Sequence, residues 1–167
     1  MAYRNKTYVA FASEDISQYR LMEAWRENQH IDFNFYDAHD LFISRDTSKP
    51  ETIKRNLRER LKNAKQIVYL ASKDGKRKSD DGISFLAHEI DVIYEFKLPV
   101  VIANLDGGRV VNASRIPAAL ANYYSVSVSF QPKIIMHALD AYVSEFHAGQ
   151  KTGPHQYPAG VYTNLGL

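Results

Sequence analysis

Short runs rich in β-branched and aromatic residues alternate with helical patterns along most of the chain, and this alternation limits the possible folds more than any other feature. Strands that alternate with helices form parallel sheets with helices on both faces. The predicted strands are residues 7–12, 31–36, 65–71, 98–105 and 124–130. The third run is apolar throughout its centre, as expected for a strand covered on both sides.

The alternation predicts an α/β fold, namely a doubly wound, flavodoxin-like sheet of five parallel strands in the order 2-1-3-4-5. We expect one domain over residues 1–147. An irregular tail over residues 148–167 is predicted to follow, because that segment is rich in Gly and Pro. Residues 72–83 are predicted to form a charged loop, and a short helix is expected near residues 116–122. Ligands of such sheets bind beyond the carboxyl ends of the strands.

The composition excludes several classes of protein. The chain has no Cys, and therefore neither disulfides nor thiolate chemistry. Its net charge of +2 is too small to argue for nucleic-acid binding. No apolar run approaches the roughly 20 residues that cross a bilayer, and the start of the sequence lacks the pattern of a signal peptide. These features predict a cytoplasmic protein.

One predicted helix carries a carboxylate on its apolar side. The stretch "SFLAHEIDVIYEF" (84–96) places apolar residues every three or four positions, which is typical of a helix with one buried face. Glu89 projects into that face, between Phe96 and Ile93. An unpaired charge there would cost several kcal/mol or raise the pKa of the carboxyl instead.

The periodicity leaves two interpretations of Glu89 open. In the structural one, the helix dipole stabilises the carboxylate, or the carboxylate pairs with an Arg such as Arg20. In the functional one, a desolvated carboxylate meets a positive charge that develops on a substrate. The helix begins at the binding edge of the sheet, so its carboxylate can face a cleft there.

Two acidic residues after the first strand, Glu14 and Asp15, suggest a different class, a phosphoacceptor receiver domain with a Mg²⁺ site. That class also needs an Asp at the end of strand three and a Lys after strand five. Asp74 comes several residues late and Lys133 is misplaced, so helix capping is the better interpretation of the acidic pair. No pair of His residues has the spacing of metal ligands, and no metal site is predicted.

Several stretches taken together resemble the TIR-like family, and most closely the stand-alone TIR subunit of bacterial Thoeris anti-phage defence. They are "YVAFASED", "FYDAHDL", "TIKRNLRERLKNAKQIVYLASKDG" and "SFLAHEIDVIYEFKLPVVIANLDG". The most specific element is an aromatic residue four positions before a glutamate, here Phe85 and Glu89. The family usually has Trp where this chain has Phe85. The resemblance covers about residues 5–147.

The resemblance implies an NAD⁺-consuming enzyme, an NAD⁺ glycohydrolase or ADP-ribosyl cyclase with Glu89 as its catalytic residue. It implies a cyclic ADP-ribose-type signal that activates a separate effector protein, with NAD⁺ as the substrate and no cofactor. A phage-derived trigger and a homo-oligomer on activation are expected, whereas nucleic acid and membrane are not. The alternative is a non-enzymatic TIR module that acts by self-association or by recruiting a partner.

The same resemblance implies where the substrate binds. The segment after the first strand lines the pocket, the loop from Asp37 belongs to a mobile loop that helps assembly, and Phe85 walls the pocket or stacks on a ring of the substrate. The expected substrate-binding residues are Phe11, Ala12, Ser13, Asp37 and Phe85.

Overall fold

A computed structural model describes residues 6–31, 33, 36–37 and 49–167. The strands within these residues are β1 (Lys6–Ala10), β2 (Tyr36–Asp37), β3 (Gln66–Ala71), β4 (Val100–Asn104), β5 (Ser125–Ser129) and β6 (Pro154–Gln156). The helices are α1 (Ile16–Glu27), α2 (Pro50–Leu61), α3 (Lys73–Asp80), α4 (Phe85–Glu95), α5 (Pro132–His147) and α6 (Ala159–Asn164). No helix in the described part of the chain is long and apolar enough to cross a membrane.

The strands form one parallel sheet in the order β2-β1-β3-β4-β5-β6. The predicted α/β architecture with a parallel, helix-flanked sheet is therefore confirmed. β3 lies at the centre of the sheet and all of its residues are buried, because helices cover both of its faces. β2 lies on one side of β1 and β3 lies on the other. The topological switch point of the sheet is therefore between β1 and β3.

Alternate residues of each strand point to opposite faces of the sheet, because the side-chain period of a strand is two. The row Val9, Val68, Val101 and Val126 is in register across four strands and belongs to the core that includes residues of α1, α5 and α6. We call this side the Val9 face. The opposite side, which begins at Tyr8, packs against α2 and α4 and is called the Tyr8 face.

The predicted irregular tail is wrong, and so is the count of five strands. Residues 154–156 add β6 to the edge of β5, and α6 then returns over the Val9 face. Tyr162 of α6 is completely buried there, and its hydroxyl accepts a hydrogen bond from Ser129 N (3.1 Å). Gly and Pro residues of the tail lie around the short elements β6 and α6. The buried ring of Tyr162 supplies the apolar surface that holds the tail in place.

Two other local predictions also need correction. The segment predicted as a charged loop contains α3, which begins after Ser72, whose hydroxyl accepts a hydrogen bond from Gly75 N (2.9 Å). The short helix predicted near residues 116–122 is two 3-10 turns, Ala113–Arg115 and Ala118–Leu120. Pro117 separates the turns, because it has no N–H to continue a helical ladder.

Candidate active site

A hydrogen-bonded turn fixes the start of α4 and thereby the position of Glu89. The carboxylate of Asp81 accepts from Ile83 N (2.8 Å), from Ser84 N (2.7 Å) and from the Ser84 hydroxyl. Gly82 has a φ of 74°, a conformation that costs a glycine little. Because the first helical residue is set by this turn, Glu89 lies about one turn into the helix, on the side that faces the sheet.

Glu89 is only 1% exposed, so the burial predicted from periodicity is confirmed. Two polar side chains act on its carboxyl group. The Tyr8 hydroxyl comes from β1 and the guanidinium of Arg60 from the last turn of α2, and both favour the charged form of the carboxyl group. Loss of water is the strongest influence and raises the pKa of Glu89 to about 8, although Tyr8 and Arg60 both act to lower it.

The carboxyl group of Glu89 has spare hydrogen-bonding capacity. Among the described residues, Glu89 Oε2 has no hydrogen-bond partner, and neither ring nitrogen of the adjacent His88 has one. Buried polar atoms are usually paired in proteins. An unpaired carboxyl oxygen inside an apolar layer is therefore an unusual feature, and it is found in the helix that the sequence singled out.

The structural alternative of a Glu89–Arg20 pair is wrong. Arg20 lies on α1 and pairs with Glu23 of the same helix (2.7 Å), and its side chain is 58% exposed. Tyr8 and Arg60 were not predicted as polar neighbours of Glu89. A signal for both existed, because Tyr8 has the strand parity of buried Ala10, and Arg60 lies three residues after buried Leu57 on the helix.

The predicted substrate-binding residues occupy different environments. Phe11 is buried beyond the end of β1 and stacks on Tyr19 with ring centroids 4.8 Å apart, and Ala12 is buried beside it. Ser13 is exposed and accepts a hydrogen bond from Lys78 Nζ (2.8 Å). Phe85 is half-buried and packs against the core of the Tyr8 face, one turn before Glu89.

The backbone of Asp37 pairs with β1 in register with Thr7. The rest of the predicted assembly loop, residues 38–47, lies outside the described residues.

The two acidic residues after β1 contact the segment that contains α3. Asp15 Oδ2 accepts a hydrogen bond from the Ser72 hydroxyl (2.5 Å), and burial raises the pKa of Asp15. Glu14 is half-exposed and pairs with Lys78 (2.9 Å). Both carboxyl groups therefore connect the segment after β1 to the segment after β3. In the described part of the chain, no group of three His, Cys, Asp or Glu side chains is arranged to hold a metal ion.

The arrangement defines a class: a flavodoxin-like α/β domain with a desolvated glutamate at the start of the helix after β3. The sequence matches the family model described as the TIR-like domain of Thoeris protein ThsB over residues 8–109, which is more than half of the chain. The chain belongs to that family. The match includes β1, the segment around Ser13, and the whole of α4 with Glu89, and it supports a role in anti-phage defence.

Proposed function

We propose that the protein cleaves the bond between nicotinamide and ribose in NAD⁺, with Glu89 as the catalytic residue, and that it releases a cyclic ADP-ribose-type signal. The observation that carries the proposal is the buried carboxyl group of Glu89, which keeps Oε2 without a hydrogen-bond partner among the described residues. A scaffold gains nothing from such a group, because an unsatisfied buried polar atom costs about 1–3 kcal/mol.

The chemistry of NAD⁺ suits a single desolvated carboxylate. Nicotinamide is bonded to C1′ of the ribose as a cationic ring. It leaves as a neutral molecule with the bonding electron pair, so little acid catalysis is needed. The difficult species is the oxocarbenium-like ribose cation that remains. A carboxylate in an apolar, water-poor layer stabilises that cation more strongly than one in water.

The protonation state of Glu89 fits a site that is inactive at rest. With a pKa of about 8, most of the carboxyl groups are neutral at pH 7. A cation brought close to the carboxyl group favours its charged form, and the nicotinamide ring of NAD⁺ is such a cation. Binding of the substrate would therefore produce the carboxylate that the reaction needs.

Access to Glu89 requires a change in its surroundings, because the side chain is 1% exposed. We propose that a phage-derived trigger and self-association open the apolar layer between α4 and β1 and admit the substrate. Ala12, Ser13, Asp37 and Phe85 would then line the pocket, and Phe11, which stacks on Tyr19 in the core of the Val9 face, would support it from the opposite side of the sheet. Either water or an internal nucleophile of ADP-ribose attacks C1′, and this choice decides between hydrolysis and cyclisation. The product would activate a separate effector, and no cofactor is required beyond NAD⁺ itself.

The test is to incubate the protein with NAD⁺, with and without extract from phage-infected cells, and to follow nicotinamide and the ADP-ribose product by mass spectrometry. We expect Glu89→Gln to lower the rate at least about a hundredfold, as expected for the loss of a principal electrostatic stabiliser. Glu95→Gln is the matched control, because Glu95 lies on the same helix but is half-exposed and paired with Arg58.

Two results would contradict the proposal. One is the absence of nicotinamide release under every condition, which would instead favour a non-enzymatic module that acts through self-association or a partner. The other is equal rates for Glu89→Gln and Glu95→Gln, which would show that the buried carboxyl group has no role in the reaction.

A further inference from the structure

Polar side chains bridge the topological switch point of the sheet, between β1 and β3. In doubly wound sheets this position forms the crevice that receives ligands. Here the segment after β1 and the helix α3 after β3 meet across it. Lys78 Nζ lies 2.8 Å from Ser13 Oγ and 2.9 Å from Glu14 Oε1. The crevice therefore contains the ammonium group of Lys78, and the anion paired with it is the carboxylate of Glu14.

The burial of the two partners is unequal. The side chain of Lys78 is 23% exposed, and that of Glu14 is 41% exposed. Arg77 Nη2 lies 3.9 Å from the same Glu14 oxygen and is shared with Asp74 (3.0 Å). The ammonium group is therefore held in the crevice, whereas the carboxylate reaches it from the surface. Exposed carboxylates on flexible side chains are easily exchanged, since such ion pairs contribute about 0–1 kcal/mol.

A separate contact fixes the helix that carries Lys78. The Ser72 hydroxyl donates to Asp15 Oδ2 (2.5 Å) and accepts from Gly75 N (2.9 Å). These bonds join the start of α3 to the segment after β1 without using Lys78 or Glu14. Removal of the Lys78–Glu14 pair therefore leaves the position of α3 supported.

We propose that Lys78 binds the diphosphate of NAD⁺ and that Glu14 occupies this anion site in the free protein, so that the substrate displaces the Glu14 carboxylate. The inference rests on the proposed function for the identity of the ligand. Phosphate oxygens accept hydrogen bonds from an ammonium group and a hydroxyl group, which are the two groups that Lys78 and Ser13 present. Ser13 is also one of the predicted substrate-binding residues, and it is exposed.

The proposal predicts opposite effects for the two partners of one ion pair. Lys78→Gln removes the cation, and we expect it to weaken NAD⁺ binding about tenfold, as for the loss of a charge-assisted hydrogen bond. Glu14→Gln removes the competing anion, and we expect it to strengthen NAD⁺ binding about threefold. Lys76→Gln is the matched control, because Lys76 lies on the same helix and pairs with Asp80 (2.6 Å).

The experiment is calorimetric titration of the full chain with NAD⁺ and with nicotinamide riboside, which has the same ribosidic bond but no phosphate. It is repeated for the three variants in a Glu89→Gln background so that no substrate is consumed. Opposite shifts for NAD⁺ with unchanged binding of nicotinamide riboside would support the site. A Lys78→Gln effect equal to that of Lys76→Gln, a weaker affinity for Glu14→Gln, or no binding of NAD⁺ by the full chain would overturn it.

Failure of the proposed function has a different signature. If wild type binds NAD⁺ in a Lys78-dependent manner but releases no nicotinamide, the anion site stands and the catalytic proposal falls. If wild type cleaves NAD⁺ but the Lys78→Gln and Glu14→Gln substitutions leave the affinity for NAD⁺ unchanged, the catalytic proposal stands and the anion site falls.

Discussion

Two buried tyrosine hydroxyls on the Val9 face differ from the buried carboxyl group of Glu89 in how completely they are paired. On the Val9 face, the Tyr142 hydroxyl donates to Tyr124 O (2.8 Å) and accepts from Val100 N (2.9 Å), and the Tyr162 hydroxyl accepts from Ser129 N. Under α4 on the Tyr8 face, Glu89 Oε2 lacks a partner among the described residues. Polar groups of the first kind stabilise a fold, whereas one of the second kind destabilises it and is typical of a functional site.

This contrast assigns different roles to the two faces. α5 and α6 hold the carboxyl-terminal half of the sheet together through paired hydroxyls and aromatic packing. α4 instead keeps a carboxyl group away from water, where its interaction with a cation is strongest. Substitutions on the Val9 face should therefore change stability, and substitutions around Glu89 should change the pH dependence of stability and of activity.

The largest expected effect is on the Val9 face, at Tyr162. Tyr162→Ala removes a fully buried aromatic side chain and should lower the free energy of unfolding by about 3–5 kcal/mol, as large-to-small core substitutions do. Urea denaturation measures the loss. Thr163→Ala is the control, because Thr163 is exposed and its substitution should cost less than about 0.5 kcal/mol. Equal losses would show that α6 is not part of the core.

The next effect concerns Glu89 and the pH. The folded state retains a proton on Glu89 up to a pKa of about 8, whereas the carboxyl group has an ordinary value of 4.5 in the unfolded chain. Between these values the unfolded state binds fewer protons than the folded state, so the stability falls as the pH rises. The slope is at most about 1.4 kcal/mol per pH unit, and it levels off above pH 8.

Thermal or urea unfolding of wild type and Glu89→Gln from pH 5 to pH 9 measures this slope. The amide does not titrate. As the pH rises from 5 to 8, the variant should therefore become more stable relative to wild type. Parallel curves would mean that the Glu89 carboxyl group ionises in the folded state at its ordinary pKa. The contrast between the two faces would then be lost at this residue.

A matched pair of Tyr→Phe substitutions sharpens the comparison further. Tyr142→Phe leaves the buried Val100 N–H and Tyr124 carbonyl without their shared partner and should cost about 1–3 kcal/mol at every pH. Tyr8→Phe on the opposite face should cost less, because its hydroxyl contacts a titrating group and not a rigid pair of backbone groups. Urea denaturation at pH 6 compares the two, and a larger loss for Tyr8→Phe would reverse the proposed division.

The sequence predicted the sheet and the burial of Glu89 because both depend on local periodicity. β3 is an uninterrupted apolar run, and Glu89 falls in the apolar arc of a strongly patterned helix. α3 was missed because its sequence, "KDGKRKSD", has no apolar stripe. Its helical form depends on the Ser72 cap. The same hydroxyl joins the start of α3 to Asp15, which is distant in sequence.

The tail and the neighbours of Glu89 could not be predicted for a related reason. β6 has only three residues, and its identity as a strand depends on the exposed edge of β5 beside it. Arg60 is one of several basic residues of α2, and only the packing of α2 beside α4 brings its charge near Glu89. The local pattern identifies a buried carboxyl group, whereas the three-dimensional fold identifies the groups that adjust its pKa.

The smallest expected effect tests those groups directly. The hydroxyl of Tyr8 and the positive charge of Arg60 both lower the pKa of Glu89, and Tyr8 is the stronger influence. Tyr8→Phe should therefore raise this pKa, so that at a given pH fewer molecules carry the carboxylate. The rising limb of kcat/KM against pH should move to higher pH by less than about one unit.

Arg60→Gln should move the same limb in the same direction and by less than Tyr8→Phe does. Arg58→Gln is the control, because Arg58 lies on the same helix but pairs with the exposed Glu95, and it should leave the profile unchanged. The pH at which the stability of each protein levels off is an independent readout of the pKa of Glu89 that needs no substrate. An unchanged limb in both variants would mean that burial alone sets the pKa of Glu89, and a shift to lower pH would mean that Tyr8 and Arg60 favour its neutral form.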